Sequence, residues 1–140
     1  MNNFIFENST KVFFGKGCVK EYLSCWAGKF GERVLLAYGG CSIKKNGIYE
    51  EVTSILEKAG KTVIEFSGIM ANPTYEKVLE GAKIARENEV DWILGIGGGS
   101  VMDCCKAVSL AAISKKDIWK EYWAKPGIID FEPLPLGVIV

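Results

Sequence analysis

The run Trp92-Ile-Leu-Gly-Ile-Gly-Gly-Gly-Ser-Val-Met-Asp103 sets three consecutive glycines, Gly97, Gly98 and Gly99, between an apolar segment and a serine able to open a helix. Residues of this kind suit the binding of a phosphate. Glycine brings backbone N–H groups close to an anion with no Cβ in the way, and a helix start adds free amides and the positive end of its dipole. A helix cap alone would account for Ser100 and Asp103, with Ser100 at the N-cap and Asp103 reaching back to it. It would not account for the triplet, because each ordered glycine costs about 0.5–1 kcal/mol relative to alanine in regular structure.

A second glycine turn, Tyr38-Gly39-Gly40-Cys41-Ser42-Ile43-Lys44-Lys45, carries no carboxylate of its own. Its glycine amides, the Ser42 hydroxyl and two lysines suit a sugar 2′-phosphate, which an aspartate would repel. The same residues also read as a solvated helix start with ordinary surface lysines. Gly95-x-Gly97-x-x-Ser100 matches the dinucleotide fingerprint incompletely, since its third glycine is replaced and it follows the third core strand. The Walker pattern fails, because no Gly-Lys-Ser or Gly-Lys-Thr follows. Asn72-Pro73 reads locally as turn chemistry.

These turns need strands to end in them. Val34–Tyr38, Thr62–Phe66 and Asp91–Ile96 are apolar runs of strand length, and a last run covers 136–140. Between them lie helical patterns: Ile48, Val52, Ile55 and Leu56 on one face with Gly60 as the stop, then Thr74–Asn88 with Val78, Leu79, Ala82, Ile84 and Ala85 as its apolar stripe, then 100–114 and a shorter helix over 116–123. Trp119, Tyr122 and Trp123 are expected to face the core. A helix over 19–26 precedes the first core strand, and Phe4–Phe6 with Lys11–Phe14 predicts an N-terminal β-hairpin. The order implies an α/β, Rossmann-like parallel sheet with helices on both faces. In such a sheet ligands sit beyond the carboxyl ends of the strands, where both glycine turns lie.

The chain has 140 residues, 49% hydrophobic and 24% charged, which fits one globular domain over 1–140. Seventeen basic side chains balance seventeen acidic ones, so no overall field draws the chain to nucleic acid or an anionic membrane. The sequence offers neither a secretory leader nor the roughly 18 apolar residues of a membrane span, and a cytoplasmic location is expected. Cys18, Cys25, Cys41, Cys104 and Cys105 form no C-x-x-C pair and read as reduced thiols acting as small buried hydrophobes. With no histidine in the chain, a nucleotide seat is legible and a reaction centre is not.

Taken together, Phe14-Gly-Lys-Gly17, Tyr38 to Gly47, Asn72-Pro73, Ala85-Arg-Glu87, Gly97 to Asp103 and Pro135-Leu-Gly137 resemble the iron-containing (group III) alcohol dehydrogenases, particularly their butanol dehydrogenase branch. The resemblance implies that Gly97, Gly98, Gly99, Ser100 and Val101 hold the cofactor pyrophosphate. Asp103 would support that loop or lie near the nicotinamide, and Asn72 would approach the cofactor. NAD-preferring relatives carry an aspartate at the position of Gly39, so the resemblance favours NADP, with NAD as the alternative. Gly40 and Ser42 complete the implied cofactor set. Cys41 departs from a common glycine and Ala71 from a common proline.

The resemblance further implies a homodimer and a small alcohol or aldehyde substrate. It also implies a divalent metal, iron or zinc, held by an aspartate and three histidines of an all-helical domain that is absent here. The chain is then expected to be the N-terminal cofactor-binding portion of such an enzyme, inactive by itself. A stand-alone nucleotide-binding or regulatory module is the alternative.

Overall fold

The computed structural model describes residues 8–125 and 128–140. Its frame is a parallel sheet of β1 (Arg33–Tyr38), β2 (Thr62–Phe66), β3 (Trp92–Ile96) and β4 (Leu136–Ile139), in the order β2-β1-β3-β4. Register runs Val34 to Val63 and Trp92 on its two sides, then Ile93 to Leu136. The two central strands are buried on both faces because their alternate side chains feed two different cores. Leu35, Ala37 and Ile93 point to one, and Val34, Leu36, Tyr38, Trp92, Leu94 and Ile96 to the other. This explains why they read as continuous apolar runs. Leu35, Leu36 and Ile93 lose all solvent contact, each stabilising the fold by about 1.5–3 kcal/mol.

On one face pack α1 (Cys18–Ala27) and α3 (Ile48–Lys58), the latter reached through the short α2 (Ser42–Lys45). On the other pack α4 (Tyr75–Glu87) and α5 (Gly99–Ile113). The chain therefore steps from β1 outward to β2, returns past β1 to β3, and changes face as it does so. The reversal leaves a crevice between the carboxyl ends of β1 and β3. The turns Gly39-Gly40 and Gly97-Gly98-Gly99 are the chain's exits from those two strands.

Several expectations need correction. Lys11–Phe14 forms no strand, and Phe4–Phe6 lies outside the described residues, so the hairpin is not shown. In α4 the inward face is Val78, Gly81, Ala82 and Ala85, whereas Leu79 is largely exposed. Gly81 takes the inward position because α4 crosses so close that no side chain fits there. A Cβ on Gly81 would stand 2.7 Å from a Phe66 ring carbon and 2.8 Å from a Val108 methyl. The shorter helix is a single π-helical turn, Trp119–Trp123, and both tryptophans are about half exposed instead of core-facing. Only Tyr122 of the three packs against the core, edge-on to Phe131. The polar stretch after Gly40 contains the short α2, in keeping with its reading as a solvated helix start.

The cysteines divide. Cys104 and Cys105 are buried, as expected, on the sheet-facing side of α5, whereas Cys25 and Cys41 are exposed. Burial pushes the Cys104 thiol up to about 11 and the Cys105 thiol to about 12, so both stay protonated and unreactive near neutral pH. No described helix is long and apolar enough to cross a membrane.

Two measurements follow from this packing. Helix propensity alone predicts that Gly81→Ala stabilises α4 by up to about 1 kcal/mol. Overpacking against Phe66 and Val108 costs about 1–3 kcal/mol, so thermal unfolding should show a lower midpoint. Alkylation of the folded chain at pH 8, read by mass spectrometry, should label Cys25 and Cys41. Cys104 and Cys105 should react only after denaturation.

Candidate nucleotide-binding site

The turn after β3 is built from glycines with two separate duties. Gly97 has φ 150°, a conformation open to glycine, and a Cβ there would stand 2.6 Å from a Val101 methyl. Its N–H donates to the carbonyl of Ile139 at 2.9 Å. Gly97 is therefore the hinge that lets the first turn of α5 sit down on the sheet. Gly95 helps from within β3, where a Cβ would stand 3.1 Å from the Cys105 sulfur. Gly98 and Gly99 are different, since a Cβ on either would enter open space. The space beside them is left open by the protein.

Among the described residues the N–H groups of Gly98, Gly99, Ser100 and Val101 have no protein acceptor, and the first amide of this turn that bonds back is Met102, to the Gly98 carbonyl at 3.1 Å. Unpaired donors on consecutive residues at the start of a fifteen-residue helix form a site of positive potential facing the crevice. The capping box does not form. The N-cap is Gly98, two residues earlier than Ser100, and no side chain caps it. Instead the Ser100 hydroxyl accepts the Asn72 N–H at 3.3 Å. Asp103 is exposed and pairs with Lys106 at 3.5 Å on the outer side of α5. The Val101 side chain is buried beneath the turn, leaving its amide as the part that can meet a ligand.

The loop after β2 crosses above the end of β1 and joins the two turns. Gly68 donates its N–H to the Gly39 carbonyl at 2.9 Å, and Ile69 to the Tyr38 carbonyl at 3.2 Å. A Cβ on Gly39 would stand 3.0 Å from the Ile69 carbonyl oxygen, so the crossing is close there. The loop then delivers Asn72, whose φ of 53° lies in the left-handed region that asparagine tolerates, to Ser100. Gly39, Gly40 and Ser42 thus line one side of the crevice, Gly97 to Ser100 the other, and Asn72 bridges toward the second. Gly40 is open to solvent and Ser42 exposed.

The sequence reading missed a carboxylate beside the first turn. Glu65, paired in register with Leu36, accepts a hydrogen bond from the Tyr38 hydroxyl at 2.6 Å and another from the Tyr49 hydroxyl. Lys44 lies 3.9 Å from the same carboxylate. The hydrogen bonds from Tyr38 and then Tyr49 hold Glu65 below the usual glutamate range, and the bond to Glu65 pushes the Tyr49 hydroxyl up to about 12. The available signal was an acidic residue near the end of the second strand, the place where dinucleotide folds often carry a ribose ligand. A groove of about 670 Å³ lined by Tyr75, Leu79, Arg86 and Ile118 lies elsewhere, against α4, and shares no residue with the glycine turns.

Residues 9–140 match the family model described as "Iron-containing alcohol dehydrogenase". The probable NADH-dependent butanol dehydrogenase 2 of Bacillus subtilis is 41% identical over 140 residues, covering all of this chain and 35% of the relative. The NADPH-dependent aldehyde reductase YqhD of Escherichia coli is 41% identical over 115 residues, covering 80% of this chain and 28% of its own length. The crystal structure of NADH-dependent butanol dehydrogenase A from Thermotoga maritima superposes with a TM-score of 0.86 at 39% identity, over 99% of this chain and 34% of that one. The chain thus spans about a third of the length of such relatives. Its fold, its glycine turns and these similarities agree: the chain belongs to the iron-containing alcohol dehydrogenase family.

Proposed function

We propose that this chain is the dinucleotide-binding part of a metal-dependent alcohol dehydrogenase that moves hydride between a primary alcohol or aldehyde and NADP(H). The observation that carries the reading is the set of unpaired amides from Gly98 to Val101, beside open space that a Cβ on Gly98 or Gly99 would fill. A diphosphate fits such a cradle, since its oxygens accept several N–H bonds at once and its charge meets the positive end of α5. The two flanking turns lie on either side of the strand reversal, so a dinucleotide held by its diphosphate at Gly98-Gly99 has its adenosine ribose directed toward Gly39-Gly40.

When bound, the nicotinamide supplies or accepts the hydride. The residues of this chain hold and orient it. Gly98 to Val101 fix the diphosphate, Asn72 stabilises the turn through Ser100, and the Gly39-Gly40 turn with Ser42 and Lys44 offers a seat for the 2′-phosphate. Relatives are named for both NADH and NADPH dependence, and the missing aspartate at Gly39 supports NADP here. Among the described residues no three His, Cys, Asp or Glu side chains converge.

Gly98 has extended backbone, φ −79° and ψ −161°, which valine adopts readily. Gly98→Val should therefore leave the thermal midpoint nearly unchanged while calorimetry shows no heat of NADPH binding. Full-strength binding by that variant would remove the diphosphate assignment. Gly39→Asp should weaken NADPH by about tenfold, the equivalent of about 1.4 kcal/mol, and NADH by less, because it sets a negative charge beside the 2′-phosphate. Equal losses for both dinucleotides would overturn the NADP preference.

A further inference from the structure

Glu65 is the next-to-last residue of β2, and its side chain leaves the sheet on the α3 face, at the end where Tyr38 and the Gly39-Gly40 turn lie. Both of its oxygens are occupied. Oε2 accepts from the Tyr38 hydroxyl at 2.6 Å and Oε1 from the Tyr49 hydroxyl. The carboxylate is thereby fixed in place. Lys44, three residues beyond Cys41 in α2, has its Nζ 3.9 Å from Oε2, 4.5 Å from the centre of the Tyr49 ring and 5.6 Å from that of Tyr38. Its cation is held by one fixed anion and two aromatic faces.

We propose that Glu65 is a specificity-determining residue for the dinucleotide: by holding Lys44 in this tray beside the Gly39-Gly40 turn, it offsets the positive charge offered to a 2′-phosphate and lowers the advantage of NADP over NAD. The inference rests on the assignment of the glycine turns to a dinucleotide. A 2′-phosphate brings roughly two negative charges to a site where Lys44 attracts and Glu65 repels, whereas the 2′-hydroxyl of NAD is neutral and indifferent to both. The ionised state of the carboxylate is secure near neutral pH, because hydrogen bonds from the two phenols favour it. The tray therefore works as a fixed charge balance and leaves Lys44 positioned but partly spent.

The test is calorimetric titration of the 140-residue chain and its variants with NADPH and with NADH, with thermal unfolding as a check on folding. Glu65→Gln keeps the size of the side chain and an oxygen for one phenol while removing the charge. It should tighten NADPH roughly two- to fivefold, the scale of a half-exposed charge pair, and change NADH by less than about twofold. The gain should shrink at high salt. Lys44→Gln provides an independent variant and should weaken NADPH more than NADH. Should both dinucleotides bind while neither variant moves their ratio, or Glu65→Gln move it toward NADH, the role of Glu65 falls and the nucleotide assignment stands. Binding of neither dinucleotide by the unaltered chain overturns both.

Discussion

The contact on which the site depends is the seating of Val101 beneath Gly97. A helix that follows a strand in the next layer must turn sharply, and here it turns so sharply that a Val101 methyl occupies the place of a Cβ on Gly97. The bend closes only because that Cβ does not exist. With α5 held down in this way, the amides of the next residues have no carbonyl behind them to bond, and they face the crevice. The donor array is thus a product of packing, and its free donors are the cost of starting a helix at that point. The three successive glycines differ in steric demand, Gly97 being closed against Val101 while Gly98 and Gly99 border open space.

The second constraint is the strand order. β1 and β3 are neighbours in the sheet but are separated in the chain by β2 and two crossovers on opposite faces. Their exits consequently diverge, one toward the α3 face and one toward the α5 face, and leave a gap in which a long ligand can lie. The loop after β2 then ties the gap together. Its backbone bonds to Tyr38 and Gly39 hold it to the first turn, and Asn72 carries it to Ser100 on the second. The tie to the first turn is made by main-chain groups alone, whereas the tie to the second needs the Ser100 hydroxyl and the left-handed backbone at Asn72. It couples the Gly98-Gly99 end of the crevice mechanically to the Gly39-Gly40 end.

Electrostatics enter through a pairing that the linear sequence conceals. Glu65 and Lys44 are separated by a helix and a turn, yet the parallel register of β1 and β2 sets Glu65 beside Leu36 and so within reach of Tyr38. A turn that looks purely basic along the chain is, in space, a balanced set of one carboxylate, two phenols and a lysine. The two phenol protons matter as much as the charges, since they fix which way the carboxylate faces. Charge patterns read from adjacent residues alone therefore overstate what such a turn offers an anion.

The residues alone determined the alternation of strands and helices, the apolar runs that become β1 and β3 and the glycine turn that leads into α5. Each of these follows from short-range periodicity or from the steric freedom of glycine, both of which survive in a linear string. They did not determine which side of α4 faces inward, because Gly81 takes that place through close approach of Phe66 and Val108, strand and helix residues distant in the chain. Nor did they reveal that Ser100 serves Asn72 instead of capping α5, or that Trp119 and Trp123 stay at the surface. The division of labour between Gly97 and its two successors likewise belongs to the fold, as does the carboxylate beside Lys44. Such features depend on distances between elements, and those are set only when the sheet order and the helix seating bring remote residues to the same few ångströms.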